Sequence, residues 1–270
     1  MPEGDTVWLA GHNLRRALGG QRLTRTDLRI PRYATTDLAG RSLLDIVSRG
    51  KHLLWRIEGG LTLHSHLKMD GAWHLYRRGE RWRSPAFEAR AVLETEAWQA
   101  VGFRVPVIDL IPTADEEEVV GHLGPDLLGD DWDAEEAARR LQDNPGVAIG
   151  EALLDQRVMA GIGNVYRCEI CYIRGLDPWM PVEAVPEVAG VVDLAKRLFE
   201  ANRHTARHVT TGVDRPGRRH HVYGRKGKPC LRCGTPIRRG RQASYGSDRV
   251  VYWCPTCQPS SQNLKESDRL

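Results

Sequence analysis

The sequence predicts a multidomain α+β chain: a helix leading a β-sandwich or barrel, then a run of helices, then a small cysteine-paired module. Three observations carry this reading. Short segments of strand character, separated by glycine turns, fill most of residues 1 to 112. Helical periodicity takes over from about residue 134. Two Cys-x2-Cys pairs stand near the end of the chain. The length agrees, since 270 residues are room for two or three domains of about 100–200 residues.

The elements follow in order. Val7, Leu9, Leu14 and Leu18 stand among polar positions and predict an opening helix. Strands are predicted over Gln21–Arg25, Leu43–Arg49, His52–Ile57, Leu61–His66, Ala72–Tyr76, Phe87–Leu93 and Trp98–Phe103. Gly59-Gly60, Asp70-Gly71 and Arg78-Gly79 mark turns between them. The stretch Gly121–Asp133, which holds GPDLLGDD, reads as a linker. Helices are predicted over Ala134–Leu141, Gly146–Asp155, Asn164–Ile173 and Pro186–Val209. From about Val222 the chain becomes a strand-and-turn module. There Arg238–Ser244 and Arg249–Trp253 can pair as a hairpin turning at Tyr245-Gly246-Ser247-Asp248.

Composition excludes several classes. Hydrophobic residues at 41% and charged residues at 27% are ordinary for a globular chain, not a disordered one. No segment approaches the roughly 18 apolar residues of a membrane helix. Residues 1–8 carry acids where a signal peptide needs a basic region and an apolar core. The expectation is a cytoplasmic chain with no membrane partner. The formal net charge of +4 is mild but unevenly placed. Thr113–Asp143 holds eleven acids and two bases, and reads as a solvated linker or helix face. Arg203–Cys257 holds thirteen bases and two acids; a basic region built around a metal site meets phosphate more often than it stays a bare surface.

The cysteines carry the clearest metal signal. Cys230-x2-Cys233, twenty residues, then Cys254-x2-Cys257 can close a tetrahedron of thiolates around one zinc ion at about 2.3 Å. Four cysteines leave no open position, so the zinc is expected to be structural, stiffening the hairpin that bears Arg249. Without metal, so small a module would lack a core. Cys168 and Cys171 have the same spacing but no second pair to complete a site, and read as core residues. His204 and His208, four apart in the last predicted helix, lack a third ligand; phosphate contact or plain exposure is expected of them.

The other informative place is the start. Met before Pro is usually removed, which leaves Pro2 with a free secondary amine. An α-amino group titrates near pH 7.7–8.0, so part of it is neutral and nucleophilic at physiological pH. Such an amine can attack an electrophilic carbon and form an iminium, with Glu3 beside it to move protons. The alternative is an ordinary helix start, where proline and acids are both favoured.

These residues join a wider pattern. Pro2-Glu-Gly, Arg-Gly-Lys51-His-Leu-Leu, His64-Ser-His66-Leu-Lys-Met69-Asp-Gly, Gly124-Pro-Asp-Leu-Leu, Gly161-Ile-Gly-Asn164-Val-Tyr, Val222-Tyr-Gly-Arg-Lys-Gly-x-Pro-Cys230 and Arg249-x4-Cys254-Pro-x-Cys257-Gln follow one another. In these motifs and their order the chain resembles the formamidopyrimidine-DNA glycosylase/endonuclease VIII family of DNA glycosylases, to about Gln258. The resemblance implies an N-terminal β-sandwich with a leading helix, then a helix–two-turn–helix domain ending in a four-cysteine zinc finger. The implied partition is 1–120 catalytic, 121–133 linker, 134–221 helical, 222–258 finger and 259–270 tail.

The resemblance also implies a reaction and its residues. Pro2 would attack C1′ of a damaged nucleotide and displace the base, and elimination of the 3′ and then the 5′ phosphate would follow. Glu3 would serve as general acid and base. Lys51 would hold phosphate beside the lesion. His66 would bind DNA, and Asn164 and Arg249 would contact the backbone, where an arginine fork suits two phosphate oxygens. Reaching C1′ inside a duplex demands that the lesion nucleotide be flipped out, and Met69 would be the apolar wedge that fills the gap. Other members add fillers from a later loop, for which Phe103 and Arg104 are the nearest candidates here. The partner is thus damaged duplex DNA, bound by a monomer working at the nucleoid.

Two departures bear on specificity. Thr6 stands where many formamidopyrimidine-type members carry a second acid. Between Thr211 and Val222 lie ten residues, few to fold over a flipped purine. Both favour the endonuclease VIII branch and oxidised pyrimidines. The alternatives are an 8-oxoguanine/formamidopyrimidine-type glycosylase and a non-catalytic zinc-finger DNA-binding protein.

Overall fold

The computed structural model describes residues 2–244 and 247–260. They fall into two compact units that divide between His122 and Leu123.

In the first unit, α1 (Gly4–Leu18) turns Val7, Leu14 and Leu18 inward. Two antiparallel four-stranded sheets follow. One runs β1 (Arg25–Leu28), β6 (Ala89–Glu94), β7 (Trp98–Phe103), β5 (Ala72–Arg77). The other runs β2 (Leu43–Arg49), β3 (His52–Ile57), β4 (Leu61–His66), β8 (Val107–Pro112). Leu53, Trp55 and Leu63 of the second sheet share one buried core with Trp73, Leu93 and Ala100 of the first, the face-to-face packing of a β-sandwich. Trp55 and Trp73 meet at 4.5 Å between ring centroids, and Trp73 Nε1 donates to Ser65 Oγ at 3.1 Å. The connection from β5 to β6 lays Trp82 over the outer face of its sheet, against Tyr76, Val92, Val101 and Phe103.

Three stretches differ from expectation. The strand expected over Gln21–Arg25 begins at Arg25, held there by Glu94 at 2.8 Å; before it only Arg22 makes a bridge, to Ser42. The strand expected from Phe87 begins at Ala89, because Ala86–Glu88 forms a 3-10 turn after Pro85. β8 was not expected: prolines at 106 and 112 bracket it, which a strand tolerates at a sheet's end, where β8 lies beside β4 alone. The acidic run holds a short helix, α2 (Glu116–Val120), and is not simply a solvated face. Glu116 is buried, with Arg56 donating at 2.7 Å and Thr62 at 2.6 Å.

The second unit packs α3 (Ala134–Gln142), α4 (Ile149–Ala152), α5 (Asn164–Arg174) and α6 (Val188–Asn202) around Leu141, Ile149, Tyr166, Ile170, Val192 and Phe199. Asp133 caps α3, accepting from the N–H groups of Glu135 and Glu136. Gly175, at φ +70, stops α5 in the left-handed conformation that glycine takes without strain. GPDLLGDD is packed rather than spanning: Leu127 is fully buried, and a Cβ on Gly124 would come within 2.5 Å of two backbone carbonyls. α4 is shorter than expected because the N–H groups of Ile149 and Gly150 donate to Met180 and Pro178 outside the helix. α6 ends at Asn202, whose side chain takes the Val209 N–H at 2.7 Å and turns the chain back. His204 and His208 therefore do not lie on a helix.

The finger hairpin is β9 (Arg238–Ser244) and β10 (Ser247–Trp253). Ser247 and Asp248, expected in the turn, belong to β10; Tyr245 and Gly246 lie outside the described residues. The hairpin and the cysteine turns share a small core with Cys168 and Tyr172 of α5.

Candidate active site and metal centre

The direction of α1 decides what its first residues meet. Arg15 pairs with Asp45 at 2.6 Å, and Gly11 lies against Ser48 and Leu53. The helix therefore runs antiparallel to β2, and its start lies at the end where Gly50-Lys51 turns the chain into β3. Gly11 permits the approach: a Cβ there would stand 2.8 Å from Leu53 Cδ2. Glu3, extended at the N-cap, is fully buried, and Pro2 is half-buried. His66 pairs with His52 at the start of β3 and with Val107 at the start of β8. Pro2, Glu3, Lys51 and His66 thus gather at one end of the first unit. The turn after β4 brings Met69 to the same end, 53% exposed.

The imidazoles there are neutral. His52 Nδ1 lies 2.8 Å from His64 Nε2, and His66 meets the His52 ring edge-on at 4.7 Å. Burial, then the nearby His66 and His64, bring His52 down to about 2. Burial, then Lys68 and Lys51, bring His66 down to about 3. The Lys68 N–H donates to His66 Nδ1 at 3.0 Å, which places the ring proton on Nε2. His66 at this site is an uncharged donor beside two lysines.

Two turns close this end, and each carries backbone strain. Lys68 at φ +49 and Arg104 at φ +50 are the non-glycine residues with left-handed backbone among those described. Arg104 sits in a three-residue connection from β7 to β8 and pairs with Glu88. Phe103 is buried against Trp82 and His74, so it cannot reach into a ligand as a gap filler.

In the second unit Asn164 opens α5, but its side chain faces inward. Its amide donates to the Val250 carbonyl at 2.8 Å and accepts from Arg167. Arg167, fully buried, also donates to Val250 O at 2.8 Å and to Gln242 Oε1 at 2.9 Å. The GIGN turn and the finger hairpin are one hydrogen-bonded assembly. Arg249, on β10 opposite Gln242, is exposed. Arg167 was missed in the sequence, as was Glu169 two residues on. Glu169 is fully buried and accepts from Thr210, from the N–H groups of His221, Val222 and Tyr223, and from the His221 ring. Burial would raise its carboxyl, but the His221 and Thr210 hydrogen bonds outweigh it and hold it near 2. The one signal for both residues is a charge inside an otherwise apolar helical stretch. Glu169 pins both ends of the ten-residue segment after Thr211 onto α5.

Cys230, Cys233, Cys254 and Cys257 come together, all four sulfurs within 4.8 Å of one another. Cys230 and Cys257 are 3.9 Å apart, Cys233 and Cys254 3.4 Å. Tetrahedral ligation at 2.3 Å gives sulfur–sulfur edges of about 3.8 Å, so the donor set fits a thiolate-bound metal ion. Cys168 and Cys171 lie fully buried in α5, where burial pushes both thiols up, as core cysteines do.

Comparison with known proteins agrees with this geometry. Residues 1–105 match the formamidopyrimidine-DNA glycosylase N-terminal domain, and residues 123–200 match the H2TH domain of the same enzyme. The probable endonuclease 8 2 of Streptomyces coelicolor is 54% identical over 96% of this chain and 94% of its own length. The DNA-(apurinic or apyrimidinic site) lyase Nei2 of Mycolicibacterium smegmatis is 46% identical over 97% and 100%. The formamidopyrimidine-DNA glycosylase of Gluconobacter oxydans is 32% identical over 96% and 100%. In fold, the chain is similar to Lactococcus lactis Fpg crystallised with DNA containing N7-benzyl-Fapy-dG, with a TM-score of 0.78 at 22% identity over 96% of this chain and 100% of that one. Among the described residues no helix is long and apolar enough to cross a membrane. With both domain models matched in sequence order and relatives well above 30% identity along nearly its whole length, the chain belongs to the formamidopyrimidine-DNA glycosylase/endonuclease VIII family.

Proposed function

We propose that this chain is a bifunctional DNA glycosylase and abasic-site lyase of base excision repair, acting on oxidised pyrimidines in duplex DNA. The observation that carries the reading is the gathering of Pro2 and the buried Glu3 at the Lys51 end of the first unit. With Met1 removed, the Pro2 amine attacks C1′ and the damaged base leaves with a proton from Glu3. The Pro2 nitrogen then gives its proton to Glu3, which passes it to O4′ as the C1′–O4′ bond breaks and the iminium forms. The iminium acidifies the C2′ protons, and Glu3 takes one as the 3′ phosphate leaves; a second elimination expels the 5′ phosphate. Lys51 and the neutral His66 Nε2–H hold phosphate oxygens beside the reacting sugar. Met69 enters the gap left by the flipped nucleotide. Asn164 and its turn meet phosphate on the second unit, and Arg249 grips it through its exposed fork.

One zinc ion held by the four cysteines serves structure alone, since four thiolates leave no position for substrate. Support for pyrimidine lesions comes from the segment after Thr211, folded back on itself by Asp214 pairing with Arg207 and Arg219. In that form it has no spare length to cover a purine. We further propose that residues 1–120 carry the chemistry, residues 134–221 and 222–258 the grip, and that the enzyme works as a monomer in the cytoplasm.

Borohydride trapping tests the reading. Reduction of the iminium should give a covalent cross-link to thymine-glycol and abasic-site duplexes, and Glu3→Gln should lose base excision more than abasic-site cleavage. Protein verified by mass to begin at Pro2 that cross-links to neither substrate would exclude this chemistry.

A further inference from the structure

Phe87 is the most exposed large apolar side chain among the described residues, at 86%. Its position is not random. Ala72 at the start of β5, Phe103 at the end of β7 and Ala89 at the start of β6 are paired in one row across the sheet. Met69 lies three residues before β5, and Phe87 two residues before β6. Both tips therefore leave the same end of the unit, with the Arg104 turn between them. Neighbouring strands lie about 4.8 Å apart, so the two strand starts beneath these tips stand roughly 10 Å from each other.

The backbone under each tip is fixed. A Cβ on Gly71 would stand 3.0 Å from Val105 Cα and 3.2 Å from Arg104 O, so the Met69 turn rests directly on the Arg104 turn. On the other side, the Arg104 N–H donates to Glu88 O at 2.9 Å and its guanidinium pairs with the Glu88 carboxylate. Arg29 donates to Ala86 O at 2.6 Å. Trp82, edge-on to Phe103 at 5.7 Å, ties down the rest of the connection. The residues on both sides of Phe87 are pinned while its ring points into solvent, and Arg81, Arg83 and Arg90, close to it in sequence, are exposed as well.

A rigidly mounted aromatic ring among arginines has the chemistry of a base-stacking platform, since every base offers a π-face and the arginines meet phosphate. When a nucleotide leaves a duplex, its former partner loses a neighbour too. We infer that Phe87 stacks on the base opposite the vacated position while Met69 fills the vacancy itself, one tip on each strand. This rests on the reading that the enzyme flips a nucleotide out of duplex DNA.

The test compares wild type, Phe87→Ala and Phe87→Trp, each as the full chain beginning at Pro2. The probe is a duplex with an abasic site opposite 2-aminopurine, whose fluorescence is quenched by stacking, alongside the same abasic strand alone. Phe87→Ala should leave 2-aminopurine brighter in the complex than wild type does. It should also lower the ratio of duplex to single-strand cleavage about tenfold, the size expected for one lost stacking contact. Phe87→Trp should quench at least as well as wild type and keep the ratio. A Phe87→Ala protein whose fluorescence and ratio match wild type, while wild type still cross-links with borohydride, overturns the inference and leaves the enzymatic reading standing. Failure of wild type to cross-link on either substrate overturns both.

Discussion

The Met69 end of the first unit and the finger hairpin of the second present exposed tips by different means. The Met69 turn stands on strands from two four-stranded sheets, with Trp55, Trp73 and Leu63 filling the space beneath. The hairpin has only two strands, and a lone two-stranded hairpin is marginal in water. Its shape depends on four cysteines at one end and on buried Arg167 at the other. One tip is fixed by a hydrophobic core; the other is fixed by charge and by a four-cysteine cluster whose geometry fits a metal ion.

The largest expected effect breaks the second arrangement alone. Cys233→Ser or Cys254→Ser should release the metal, open the arginine-rich hairpin to trypsin and cut DNA affinity at least tenfold, because Arg249 loses its mount. A proteolytic core of about residues 1–122 should survive unchanged. If the metal-free hairpin stays as protected as before, it too is held by packing, and the contrast fails.

A smaller effect concerns Glu169. Its folded carboxyl titrates near 2, below the unfolded value of about 4.3, so its contribution is complete above that unfolded value. It is lost progressively as pH falls from about 4.5 toward 2, and amounts to about 3 kcal/mol. Glu169→Gln should remove a similar amount at pH 7, because an amide N–H then faces backbone donors. The measurement is urea unfolding at pH 7, 4.5 and 3, with hydrogen exchange of α5 reporting on the second unit. A variant as stable as wild type at pH 7 would show that the carboxylate carries none of the load.

The smallest effect sharpens the contrast from the other side. In Glu116 burial raises the carboxyl, but the Arg56 and Thr62 hydrogen bonds outweigh it and hold it below the usual range. The sign is the same as for Glu169, with stability lost as pH falls. Arg56 is well exposed, however, so the pair is worth only about 1 kcal/mol. Glu116→Gln should lower the unfolding midpoint of the first unit by a few degrees at most, and acid should loosen the second unit first. Loss of the first unit at the higher pH would reverse the comparison.

What the sequence made legible follows from what periodicity can report. Six strand segments of the first unit, the helices over Ala134–Leu141 and Asn164–Ile173, and the cysteine spacing were readable because each carries a repeating pattern. Val107–Pro112 was not, because its prolines argue against a strand unless one knows that it lies at a sheet's end. Arg167 and Glu169 were not, because a single charge among apolar residues reads the same whether buried with partners or turned to water, and Glu116 was not, because nothing in a run of four acids marks the one that turns inward. Phe103 shows the complementary limit: sequence placed it at the end of a strand, and only the packing of Trp82 tells which face it occupies. For Asn164 the motif marked the position, while the direction of the amide was set by Val250, eighty-six residues away.

The three-residue connection from β7 to β8 has a consequence for how damage is sought. An enzyme of the proposed kind must test very many intact base pairs for each damaged one. A probe carried on a long loop would have to be ordered at every trial, at about 1–2 kcal/mol for each residue fixed. Here Arg104, Val105 and Pro106 are all the chain between two strands, and the Met69 turn rests on them. The conformational entropy was given up once, when the chain folded. Each encounter with DNA then begins with the tip already in place, and the sampling of successive base pairs is limited by the yielding of DNA rather than by the ordering of protein.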